Sequence, residues 1–172
     1  KDKSTVFHLA DILKSHKIKF NNISKDIVIN GKKYLKDNSY IVPMNQPKRT
    51  LIEAMFYTQT KFKDSLFYDV SSWTLPLAFN INYDYTDGLS QSNISSLIDN
   101  EVEDLIKPNG MVDNKSDYAY IFEPHDYYTQ AAIYKILDQG LRVKTATRKF
   151  SIKGKDYDYG TYMIPVQNQE LS

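Results

Sequence analysis

The sequence predicts an α/β protein, and three features predict it. Helical and strand-like periodicities alternate along the chain, one helix–strand–hairpin–strand pattern occurs twice, and each occurrence carries a Gly-containing turn between β-rich runs. The first occurrence runs through Ile12-Leu13, Ile18-Lys19-Phe20, Asp26 to Tyr34 and Ser39 to Pro43. The second runs through Ile136-Leu137, Leu141-Arg142-Val143, Lys149 to Tyr157 and Thr161 to Pro165. Both trail into amides, Asn45-Gln46 in one and Gln167-Asn168-Gln169 in the other. A period of about 122–124 residues is far too long for a solenoid. It predicts two approximately repeated halves, about 5–47 and 118–169, sharing a mixed sheet with four main helices. A helical and irregular insert over 48–117 would lie between them in a single domain over 1–172.

The elements follow in order. Val6, Leu9, Ala10 and Leu13 fall on one face of a helix over about 5–16, with Ser4 as its cap. The counterpart over about 126–139 starts at Asp126, carries Ala132, Ile133, Ile136 and Leu137, and stops at Gly140, which takes a positive φ at little cost. Short strands follow at Ile18–Phe20 and Leu141–Val143. Asn30-Gly31 is a strong hairpin signal because both turn positions need positive φ, and Lys153-Gly154 is a weaker version. The last strands end at Pro43 and Pro165. Between the halves, Thr50 and Glu53 read as a capping box opening a helix with Leu51, Ile52, Met55 and Phe56. A further stripe of Ile94, Leu97, Ile98, Val102, Leu105 and Ile106 predicts a helix over about 92–107, ending before Pro108-Asn109-Gly110. Residues 113–117 read as a loop and Tyr118 to Phe122 as a buried strand.

Composition narrows the function classes. Lys and Arg number 22 against 21 Asp and Glu, so no global field recruits nucleic acid or an anionic membrane. The charge is uneven: residues 1–36 hold nine Lys and three Asp, whereas residues 84–126 hold ten acids against Lys107 and Lys115. These are solvated faces, or surfaces that dock on each other or on neighbouring domains. With no Cys, thiolate metal sites, disulfides and Cys nucleophiles are excluded. No apolar run reaches the ~18 residues of a membrane helix, so no membrane insertion is expected. The opening Lys-Asp-Lys-Ser carries no signal peptide and leads straight into a helix, as expected of a piece of a longer chain.

Three phrases are distinctive: Asp64 to Asn80 around Asp69 and Trp73, Tyr40 to Pro47, and Tyr159 to Gln169. Together they resemble the region downstream of the catalytic domain in large zinc carboxypeptidase-like (carboxypeptidase A-like) proteins typical of Bacteroidetes-type bacteria. The resemblance implies an accessory domain of a secreted or periplasmic protein whose partners are the adjacent domains of the same polypeptide. It also implies zinc in the parent's peptidase domain and none in this region. Family members hold zinc with His-x-x-Glu and a later His. Here His8 is followed at that spacing by Asp11, His16 by Lys19 and His125 by Tyr128, so those ligands have no counterpart in this sequence.

Residue by residue, His8 and Asp11 share a helix face but lack a third ligand at a telling spacing. Glu123-Pro124-His125-Asp126 is the best acid–base cluster, a His beside carboxylates where a strand meets a helix. The plainer alternative makes Asp126 a cap and His125 a loop residue. The six Gly form no phosphate-binding loop. Fourteen Tyr include Tyr34, Tyr40, Tyr118, Tyr120, Tyr157 and Tyr162 on expected strands, where sheet packing competes with a peptide- or glycan-binding platform. Trp73, beside Asp69, is either a core residue or a contact for a ligand or another domain. The binding candidates are therefore Asp69, Trp73 and His125, with no catalytic residue and no metal ligand assigned.

Overall fold

The computed structural model describes residues 2–58, 74–86, 91–112 and 114–169. The chain divides into two compact units, Lys3–Pro108 and Asn109–Ser172, so most of the insert expected over 48–117 belongs to the first. Helices and antiparallel strands mix in both.

In the first unit, α1 (Lys3–Ser15) buries Thr5, Leu9, Ala10 and Leu13 along one face. Ser4 lies inside it and is not its cap. The helix closes at Lys17, whose φ of 57° is positive. Lys17 N–H donates to the Lys14 carbonyl at 2.8 Å and Ile18 N–H to that of Leu13 at 3.0 Å, the paired bonds of a Schellman cap. Ile18 and Phe20, 3% and 2% exposed, then drop into the core ahead of β1 (Asn21–Ile23). Strands β2 (Ile27–Ile29) and β3 (Lys32–Tyr34) form a hairpin pairing Ile27 with Tyr34. Its turn is Asn30-Gly31, at φ 49° and 77°. A 3-10 turn over Lys36–Asn38 leads into β4 (Tyr40–Ile41). There follow α2 (Arg49–Phe56), the short α3 (Leu75–Ala78), α4 (Gln91–Leu97) and β5 (Ile98–Glu101). The sheet order is β4-β1-β5.

Beta-5 corrects the helix expected over 92–107. Ile98 pairs with Ile23 and Glu101 with Asn21, so the strand ladder overrides a helical stripe that ends at Leu97. Val102 and Leu105 still face inward. They pack with Val42, Met44, Leu51, Met55 and Phe56 on a core of Ala10, Leu13, Ile18, Phe20 and Ile52.

The second unit holds β6 (Ala119–Phe122), α5 (Thr129–Asp138), β7 (Lys144–Thr145), β8 (Phe150–Ile152), β9 (Lys155–Tyr157) and β10 (Tyr162–Pro165). Alpha-5 begins later than expected. Its N-cap is Tyr128, without a side-chain cap bond, and Asp126 stays in the preceding turn. It ends as α1 does, with Gly140 at φ 72° and Leu141 N–H donating to the Ile136 carbonyl at 3.2 Å. The β8–β9 hairpin pairs Phe150 with Tyr157 and turns on Lys153-Gly154, at φ 51° and 78°. Strand β10 ends at Pro165, which pairs with Ala119, whereas β4 stops at Ile41, before Pro43. The sheet order is β6-β10-β7.

The single mixed sheet expected from the sequence is not formed by the described strands. Every pair is antiparallel, in two three-stranded sheets and two hairpins, none of which draws strands from both units. The two hairpins are antiparallel because their two-residue turns leave no room for the long crossover a parallel pair needs.

Candidate functional site

The polar side chains nearest the distinctive phrases hold backbone in place. Gln46 bridges two segments of the first unit: its side-chain oxygen accepts from Lys19 N–H at 2.9 Å, and its amide nitrogen donates to the carbonyls of Lys19 at 3.0 Å and Pro43 at 2.6 Å. Gln169 does the same in the second unit, accepting from Arg142 N–H at 2.6 Å and donating to the carbonyls of Arg142 at 3.1 Å and Pro165 at 2.5 Å. An amide suits this task because it presents one acceptor and two donors to a backbone segment that has neither helix nor ladder partners.

A second polar centre fastens the β2–β3 hairpin to residues 81–86. Asp84 accepts from the Tyr34 hydroxyl at 2.5 Å and from Asn30 Nδ2 at 3.2 Å, and pairs with Lys32 Nζ at 3.1 Å. These bonds, Tyr34 first, hold the Asp84 carboxyl below the usual carboxylate range. Burial, together with the carboxylate it faces, pushes the Tyr34 phenol well above its ordinary value. Asp26 is lowered likewise by the Lys36 N–H and by Lys33. In the second unit the hairpin is held differently: Lys155 pairs with Glu123 at 3.2 Å, and the rings of Phe150 and Tyr157 stack at 5.0 Å.

The uneven charge is used inside the first unit. Lys14 pairs with Asp104 at 3.6 Å, Lys19 with Glu101 at 3.1 Å and Lys32 with Asp84, each joining the basic N-terminal stretch to the acidic one. The docking alternative thus describes these three pairs.

One open groove of about 860 Å3 lies in the first unit, lined by Met44 to Pro47, Arg49, Glu53, Tyr85 and Thr86. Arg49 and Glu53 form an ion pair at 2.8 Å across one turn of α2, which raises the Arg49 pKa. That pair replaces the expected capping box, because α2 begins at Arg49 and Thr50 already lies inside it. Burial lifts the Tyr85 phenol, with Tyr83 and Glu53 adding to the effect. The sequence reading missed this groove, since only the Tyr40 to Pro47 phrase pointed toward it.

Of the binding candidates, Asp69 and Trp73 lie outside the described residues. His125 is exposed in the turn between β6 and α5. Around it Glu123 is committed to Lys155, and Thr129 Oγ1 donates to the Glu123 carbonyl at 2.9 Å. His8 meets the Phe7 ring edge-on at 5.2 Å and Asp11 is exposed. Among the described residues no three His, Asp or Glu side chains gather closely enough to hold a metal ion, so they do not supply the donor set of a zinc site. No helix among them is long and apolar enough to cross a membrane. The tyrosines divide: Tyr34 and Tyr162 are half-buried, whereas Tyr118, Tyr134 and Tyr159 are 79%, 71% and 59% exposed.

Comparison with family models, curated proteins and solved structures finds no match to this chain.

Proposed function

We propose that this chain is a non-catalytic accessory region of a secreted or periplasmic zinc carboxypeptidase-like protein, a parent that would trim C-terminal residues from peptides with zinc held in another domain. One observation carries the reading. Two of the phrases behind the resemblance, Tyr40 to Pro47 and Tyr159 to Gln169, are organised around the amide clamps of Gln46 and Gln169, whose polar groups are spent on holding backbone in place. Adjacent domains of the same polypeptide are its partners in this reading.

The two units are, further, two copies of one design. Positions 123 apart take the same roles: Lys17 and Gly140 close the helices, Asn30-Gly31 and Lys153-Gly154 turn the hairpins, and Gln46 and Gln169 clamp Lys19 and Arg142.

The test is elemental analysis of the purified chain together with a carboxypeptidase assay on acyl-dipeptide substrates. The expected result is substoichiometric zinc and no hydrolysis; one tightly held zinc per chain overturns the reading. The exposed Tyr118, Tyr134 and Tyr159 favour a second reading, a peptide- or glycan-binding module. Alanine at all three positions would then abolish binding to a glycan or peptide array.

A further inference from the structure

The two units differ at one edge. In the first, β1 is the middle strand, and residues 98–105 cover its outer side: Ser24 N–H donates to the Leu97 carbonyl at 2.8 Å and Val102 N–H to that of Phe20 at 3.0 Å. The same segment packs Val102 and Leu105 on the core and sets Glu101 on Lys19 and Asp104 on Lys14. In the second unit β7, which occupies the place of β1, is the outer strand of its sheet. Ala146 directs its N–H and C=O to Thr161 and Gly160, at 2.8 and 3.0 Å, so strand alternation turns the N–H and C=O of Thr145 to the outer edge. The residues beneath that edge are less covered than their counterparts. Leu141 and Val143 are half-buried where Ile18 and Phe20 are buried, and the apolar Leu137 is 53% exposed beside them.

Charge indicates what fits there. The segment on β1 is acidic, with Asp99, Glu101, Glu103 and Asp104. The stretch around β7 is basic, with Lys144 and Arg148 beside Arg142 and no acid across residues 142–149, while Lys149 is paired with Asp158 at 3.3 Å. We propose that the β7 edge is a docking site for an extended acidic segment of an adjacent domain of the same polypeptide, added as a fourth strand with an apolar residue over Val143 and Leu137. Main-chain bonds supply the attachment, and the cations select carboxylate-bearing segments and set the register. The proposal rests on reading the two units as copies of one design, and it names the partner chemistry for the accessory role.

The test uses the whole chain and a labelled peptide with the sequence of residues 97–106, followed by anisotropy and by amide shifts. Saturable binding is expected, with shifts at residues 141–146 and none at 20–24, where the site is filled. Lys144→Glu should weaken binding roughly fivefold, and Thr145→Pro, which removes the outward N–H while leaving the β10 ladder intact, roughly tenfold or more. A peptide with Lys at its four acidic positions should not bind. The proposal is overturned if residues 141–146 do not shift, if Lys144→Glu changes nothing, or if a chitin oligosaccharide shifts these amides and the peptide does not. It is also overturned if the chain dimerises through this edge without peptide. Should docking fail while Gln46→Ala and Gln169→Ala still destabilise their units alike, the copy reading stands and only the docking site falls.

Discussion

The first unit surrounds its central residues on more sides than the second does. Phe20 is 2% exposed beneath α2 and residues 102–105, whereas Val143, at the matching place before β7, is half-buried. Each unit nonetheless closes a helix at positive φ, turns a hairpin at positive φ and clamps backbone with a glutamine. The comparison separates two jobs. Local backbone devices define a unit, and the covering segments decide how deep its core becomes.

The sharpest way to break that comparison is to truncate matched core residues. Phe20→Ala is expected to cost about 3–5 kcal/mol and Val143→Ala about 1 kcal/mol, read by denaturant unfolding with amide exchange resolving each unit. Equal costs would mean that cover does not set core depth. Next, Gln46→Ala and Gln169→Ala should each cost about 1–3 kcal/mol, because each leaves one N–H and two carbonyls without partners. A loss in only one unit would show that the clamps are not the same device. Smaller still, Gly31→Ala and Gly154→Ala should each cost about 1 kcal/mol, since both glycines sit at positive φ with open space around them and only backbone strain is added.

The smallest effect is local and depends on pH. Asp84 has a folded-state pKa below its unfolded one, so its contribution is present above the ordinary carboxylate range and is lost as pH falls through the lowered value. Amide exchange in β2 and β3 should therefore quicken in acid, and Asp84→Asn should reduce that dependence, leaving the part that Asp26 contributes through Lys33 and the Lys36 N–H. Tyr34 acts in the opposite sense. Its raised phenol favours the folded hairpin up to its ordinary pKa, ~10, and this contribution fades as pH climbs toward the folded value. Titrating the Tyr34 ring resonances checks both ends.

Much of this frame was legible in the residues. Asn-Gly and Lys-Gly between β-rich runs turn the hairpins where expected, since positive φ is a local property of the chain. Gly140 closes α5 for the same reason. Lys17 closes α1 at the matching position without being glycine, and no compositional signal marks it. The trailing amides Gln46 and Gln169 were visible as a repeated feature, but their clamping role depends on backbone brought from 27 residues away.

Of the candidate site, less was legible. His125 was singled out from its neighbours in sequence, yet those neighbours are engaged with Lys155 and Thr129. The groove beside Arg49 and Glu53 forms only when residues 85 and 86 fold back toward α2.

By itself, then, the sequence determined the class of the fold, its turns and most helix positions, because φ preference and hydrophobic period act over a few residues. Tertiary structure decided that residues 98–101 join a ladder instead of continuing a helix, and that among the described strands the sheets are small and antiparallel, with β1 central and β7 outermost. Strand partnership depends on bonds between segments tens of residues apart, and no local pattern encodes which edge receives a neighbour.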